Sequence, residues 1–213
     1  MLVSYFTVKG YSEAEISIQK SRFIAYVERV TTEKEAQTFI EKIKKKHWNA
    51  SHNCSAYMIG ETDNIQKAND DGEPSGTAGV PILEVLKQRK LKDTVVVITR
   101  YFGGVKLGAG GLIRAYGSAT SEGINAAGVV ERRLAQVYKS SMDYHFLGKV
   151  ENELRASPYL IKNIDYQDLV YVETYVHAGE ESNFEELMMN LTNGQASIKK
   201  TSIEYLEEEI KEG

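Results

Sequence analysis

Thr94-Val95-Val96-Val97-Ile98-Thr99, followed by Arg100-Tyr101-Phe102-Gly103-Gly104-Val105-Lys106-Leu107-Gly108-Ala109-Gly110-Gly111-Leu112, is the stretch that decides how this chain folds. Its first six residues are β-branched and lack polar alternation, which predicts a strand buried on both faces. The glycines then break the strand. Beyond them Leu112, Ala115, Tyr116 and Ala119 recur on one side of a helix that runs to about Ala127. A buried strand, a glycine loop and a helix in succession place the chain among α+β proteins.

Upstream lies a second loop, Asp70-Asp71-Gly72-Glu73-Pro74-Ser75-Gly76-Thr77-Ala78-Gly79, too rich in Gly, Pro and Asp for regular structure. It leads into a helix over Val80–Lys90, with Pro81 tolerated in the first turn. Thr32 and Glu35 form a capping box, and Ala36, Phe39, Ile40 and Ile43 follow at helical spacing. Lys44, Lys45 and Lys46 then complement the helix C-terminus. The segment from Glu13 through Ser21 to Val27 reads as strand, as does Ser51 to Ile59.

Downstream, Gly128 and Glu131-Arg132-Arg133 mark a boundary between a first domain, 1–133, and a second, 134–213. The second opens with a strand, Ala135–Tyr144, and a helix bearing Phe146, Leu147, Val150 and Leu154. Val170, Val172, Thr174 and Val176 alternate, and Phe184, Leu187, Met188 and Leu191 recur at helical spacing. The resulting βαββαβ order is the ferredoxin-like plan.

Composition sets limits. In 213 residues, 42% hydrophobic and 26% charged, there is room for two compact domains and little cause for disorder. There is no signal-peptide pattern at Met1–Tyr5 and no apolar run long enough for a membrane span. One cysteine, Cys54, makes no internal disulfide. These features predict a cytoplasmic protein with no membrane association. Residues up to 134 carry 19 Lys and Arg against 15 Asp and Glu, a surplus of 4. The remainder carries 7 against 15, a deficit of 8. A mildly basic domain beside an acidic one suits nucleic-acid contact, or simply two solvated surfaces.

The glycine loops hold the candidate site. Glycines let backbone N–H groups face outward, and a helix start adds partial positive charge. Arg100, Tyr101, Gly103, Gly104, Lys106, Gly108, Gly110, Gly111 and Arg114, with Gly76 and Thr77 of the first loop, are therefore the expected anion- or nucleic-acid-binding residues. A purely structural strand-to-helix turn is the competing reading. Ile113 stands where a dinucleotide fingerprint needs its third glycine, and no P-loop lysine pattern occurs. No cofactor and no catalytic residue are expected. Asp70, Asp71 and Glu73 have divalent-ion chemistry, but their spacing departs from an EF-hand, and no metal is expected. If they are paired instead, Arg100 or Arg114 is the natural partner, and the surface is then less basic than composition suggests. His52 and Cys54 alternate on a strand without the further ligands zinc requires. Trp48 and Tyr101 are read as packing aromatics rather than base-stacking ones.

Asn69–Leu83 and Thr99–Tyr116, in this order and spacing, resemble the Impact family, and the resemblance extends over nearly the whole chain. It implies that the first domain is similar to the second domain of ribosomal protein S5. It also implies that the second domain is similar to the last domain of elongation factor G. Eukaryotic family members act in translational control by competing for an activator of a stress kinase, using an extra N-terminal domain. The Impact-like region begins almost at Met1 here, so that role is not expected to transfer. What the resemblance implies is binding to RNA or the translation machinery, with a protein partner as a further option. An enzyme acting on a phosphorylated small molecule at the same loops, and a protein-only regulator using the acidic domain, are the alternatives.

Overall fold

The structure, a computed structural model, describes residues 1–210. The chain divides into two compact units. One comprises Tyr5–Glu131 and, among the described residues, 208–210; the other comprises Met1–Ser4 and Arg132–Glu207. The change of unit along the chain falls between Glu131 and Arg132, two residues before the expected boundary, and Met1–Ser4 and residues 208–210 each fall in the other unit from the one expected.

The first unit contains β1 (Ser4–Val8), β2 (Ser12–Ile18), β3 (Ser21–Arg29), α1 (Glu33–Lys46), β4 (His52–Ile59), β5 (Ile65–Asn69), α2 (Gly79–Gln88), β6 (Thr94–Tyr101) and α3 (Gly108–Ala127). Its sheet has the order β2-β3-β6-β4-β5, and each neighbouring pair is antiparallel. The β-branched run of β6 lies at the centre, as its lack of alternation requires. Val95 and Val97 meet Phe39 and Ile43 of α1 on one face. Val96 and Ile98 meet Ile82 and Leu86 of α2 and Leu112, Tyr116 and Ala119 of α3 on the other. Thr32 caps α1 through the Glu35 N–H, and the Glu35 carboxylate returns to the Thr32 N–H.

The continuous strand expected from Glu13 to Val27 is two strands. Gln19 and Lys20, both at positive φ (44° and 67°), form a two-residue hairpin turn with Ile18 opposite Ser21. That turn geometry normally selects Gly or Asn, which is why the sequence hides it.

The second unit follows the βαββαβ order: β7 (Val129–Met142), which starts before the division, then α4 (Tyr144–Ala156), β8 (Leu160–Tyr166), β9 (Val170–His177), α5 (Glu181–Thr192) and β10 (Ser197–Glu209). β7 pairs β9, β9 pairs β8, and β10 pairs β7. This is the ferredoxin-like arrangement. Val170, Val172 and Val176 meet Phe146, Val150, Leu154, Phe184 and Met188 from the helices. The expected strand to Tyr144 stops at Met142, because the Asp143 carboxylate accepts the His145 N–H and starts α4.

Candidate functional site

One end of the first unit's sheet gathers nearly every residue singled out from the sequence. There β3 begins, β4 begins and β6 ends, with Arg22 opposite Tyr101 and His52 opposite Arg100. The two glycine loops meet at that end. Glu73 and Pro74 of the first, with Arg100, Phe102, Lys106 and Leu112 from the second and its helix, line a cavity of about 300 Å³.

The first loop already holds an anion of its own. The Asp70 carboxylate accepts N–H groups from Gly76 (2.8 Å), Ala78 (3.0 Å) and Gly79 (2.8 Å), so it occupies the start of α2. The Thr77 hydroxyl donates to the Pro74 carbonyl at 2.7 Å. Neither the Gly76 N–H nor the Thr77 hydroxyl is therefore offered to an outside anion. Burial opposes ionisation of Asp70, but the three N–H groups outweigh it and hold its carboxyl below the usual value. Replacing Asp70 by alanine should cost about 2–3 kcal/mol near neutral pH, since charge-assisted bonds to three amides are lost. The folded pKa is depressed, so this stability is present above the unfolded value of about 3.9 and is lost as pH falls through the folded value. Denaturant curves of the two proteins should accordingly converge in acid; a constant gap would show that Asp70 acts otherwise.

Asp71 and Glu73 turn elsewhere. Asp71 takes Lys44 Nζ at 2.6 Å and the Asn53 N–H at 2.7 Å. Glu73 points inward, where its Oε1 accepts Arg100 Nη1 at 2.6 Å and the Tyr116 hydroxyl at 2.8 Å. Its Oε2 lies 3.8 Å from His52 Nε2. The three carboxylates thus diverge, and among the described residues no group of three or more His, Cys, Asp or Glu is placed to hold a metal.

Arg100, expected to contact an anion from solvent, is 5% exposed and its charge is matched by Glu73. Phe23 and Phe102 flank its guanidinium with ring centroids at 5.4 and 5.6 Å. Cys54 Sγ lies 3.0 Å from the Asp70 carbonyl and 3.3 Å from the Tyr116 hydroxyl. His52 Nδ1 instead faces the Asp71 carbonyl at 2.9 Å. Burial pushes the Cys54 thiol up to about 12 and raises Tyr116 beyond its ordinary range. At neutral pH both stay protonated, which is the reverse of an activated nucleophile.

The second loop is open. Gly104, Lys106, Gly108, Gly110 and Arg114 are exposed, while Tyr101, Gly103 and Gly111 are half-buried. Leu107 precedes α3 without a side-chain cap, so the first N–H groups of α3 lack the kind of carboxylate that α2 receives. Arg114 Nη1 turns back toward Gly110, within 3.8 Å of where a Cβ there would lie. Among the described residues neither Lys106 nor Arg114 has an ion-pair partner. Tyr101 is tied down: its hydroxyl meets His47 Nδ1 at 2.8 Å and Asn49 Oδ1 at 3.3 Å.

Trp48, expected to pack, is 83% exposed. Its turn abuts the second loop, because Ser51 N–H donates to the Arg100 carbonyl (2.9 Å) and Phe102 N–H donates to Ser51 Oγ (3.0 Å). The Lys-Lys-Lys-His-Trp sequence carried the available signal: helix α1 ends in cations, so the turn directly after them faces water.

A split-βαβ unit joined to a unit with such paired glycine loops defines a class, and comparison with known proteins identifies it. The Impact N-terminal domain matches residues 19–124, and a domain of unknown function (DUF1949) matches residues 141–195. The chain belongs to the IMPACT family. It is 64% identical to IMPACT family member YvyE of Bacillus subtilis, over 99% of this chain and 97% of that protein. It is 31% identical to IMPACT family member YigZ of Escherichia coli, over 85% and 90%. Human Protein IMPACT is 33% identical over 44% of this chain and 30% of its own length. A crystal structure described as a hypothetical protein superposes with a TM-score of 0.60 at 28% identity, covering 95% of this chain and 99% of that one.

Proposed function

We propose that this chain is a non-catalytic binding protein for RNA or the ribosome, working in the cytoplasm in translation regulation, and that the open end of the first unit's sheet makes the contact. The observation that carries this reading is the exposed Trp48, whose turn is hydrogen-bonded to Arg100 and Phe102 at the same end of the sheet as Lys106 and Arg114, two exposed cations without acidic partners among the described residues. An aromatic face with unpaired cations is what single-stranded nucleic acid requires. Exposed Lys20 adds to it, since its turn packs against Gly103. The protonated Cys54 and Tyr116 and the internally matched carboxylates favour binding over chemistry. Among the described residues no helix is long and apolar enough to cross a membrane.

Replacing Lys106 and Arg114 together with alanine should flatten the log–log salt dependence of RNA binding by roughly 1.4 to 1.8, the signature of about two lost phosphate contacts. An unchanged slope and affinity in a variant shown to be folded would remove this surface from consideration.

A further inference from the structure

We infer that the cavity between the two loops receives one unstacked base of a single strand, with the adjoining phosphate on the start of α3. This rests on the proposed nucleic-acid function and specifies how that surface discriminates. The cavity, at about 300 Å³, has the size of a small-ligand site and room for a purine. Its walls are apolar: Phe102, half exposed at 50%, with Pro74, Leu107 and Leu112. Arg100 and Glu73, both more than nine-tenths buried, are its main polar groups.

Two hydrogen-bonding atoms remain on that pair. Arg100 Nε is buried and has no hydrogen-bond partner among the described residues. Glu73 Oε1 carries both hydrogen bonds, from Arg100 and Tyr116, while Oε2 has only His52 Nε2 at 3.8 Å. An unmet donor costs free energy when buried, and a ligand that supplies its acceptor recovers it. Arg100 and Glu73 both line the cavity, so a small side-chain shift that turns Nε and Oε2 toward it would offer a donor and an acceptor to the edge of a flat heterocycle such as guanine, whose O6 accepts where its N1–H donates. A bare phosphate or carboxylate fits this floor poorly, because Glu73 already neutralises Arg100 and would repel a second anion. The positive groups stand at the rim instead, in Lys106 and the uncapped N–H groups of α3. The site thus separates a neutral base from a charged phosphate, as a nucleotide does.

The probe is guanosine 5′-monophosphate, followed by amide chemical shifts, beside a short single-stranded oligoribonucleotide measured for affinity against salt. Ala109 lines the cavity from an exposed helix position, so Ala109→Leu fills the cavity without a core change. The mononucleotide should shift the amides of Phe102, Leu107 and Leu112 in the native chain and not in Ala109→Leu. The same variant should bind the oligonucleotide about tenfold more weakly with an unchanged salt slope, the loss of one held base without a lost phosphate contact. Phe102→Ala, a change at a half-exposed side chain, should weaken binding in the same way if Ala109→Leu does not fold. The inference is overturned if ribose 5-phosphate produces the same shifts as the nucleotide, if no shift appears at millimolar nucleotide, or if folded pocket variants keep native affinity. A salt slope that still responds to Lys106 and Arg114 alongside any of these would sink the base pocket alone and leave the RNA surface standing.

Discussion

The Glu73→Ala variant is expected to unfold about 3–5 kcal/mol more easily than the native chain, because removal of one partner leaves a buried charge uncompensated. Arg100 is the charge in question: its side chain is 6% exposed, and Glu73 is the acidic group bonded to it. The same truncation strips the Tyr116 hydroxyl of its acceptor. The cost should not be read as the worth of the pair. Replacing both members with apolar residues of similar volume, Glu73→Leu with Arg100→Met, should recover much of the loss, since desolvation of two charges offsets their attraction. Urea unfolding of the single and double variants supplies the test. A single-variant loss below about 1 kcal/mol, the range of solvated pairs, would mean that water reaches Arg100.

Gly103→Ala should be about as damaging, for a different reason. A Cβ at Gly103 would lie 2.0 Å from the Lys20 carbonyl carbon and 2.1 Å from its oxygen. Both obstacles are backbone, and the strand beginning at Ser21 is hydrogen-bonded into the sheet, so relief requires the loop to leave its seat. A loss at or above about 3 kcal/mol, the upper end of ordinary overpacking, is expected. Its neighbour gives the control: a Cβ at Gly104 meets open space, but φ there is +86°, so Gly104→Ala should cost only about 1–2 kcal/mol of backbone strain. Thermal or urea unfolding of the two variants should rank them in that order. The reverse ranking would show that the Lys20 turn yields and that the loop is not pinned.

What the sequence made legible is what rests on local chemistry. The α1 cap, the core face of α3 and the centrality of β6 follow from spacing over a few residues, and so does the βαββαβ order. The Gln19-Lys20 hairpin was hidden because tertiary pairing of β2 with β3 forces non-glycine residues to positive φ. β1 and β5 were missed because each is only five residues long and lacks a run of β-branched side chains. At the site, the sequence brings forward the loops that line the cavity, and it offers Arg100 two roles. One is contact with an outside anion; the other is pairing with a carboxylate of the first loop, and the bond to Glu73, 27 residues away, is the second. Trp48 reads from the sequence as a packing residue, since hydrophobicity alone does not say which way a post-helix turn faces.

The carboxylate of Asp70 at the start of α2 bears on how fast this surface can work. A phosphate-binding loop that lacks an internal anion stays mobile until its ligand arrives, and the loss of its freedom then weakens and slows association. Here the chain supplies that anion itself, six to nine residues before the amides it binds. The first loop is thereby preorganised, with its entropy already lost during folding. On the proposed RNA-binding role, an incoming strand would meet a wall that is set, and encounter would proceed close to the pace that electrostatic steering allows.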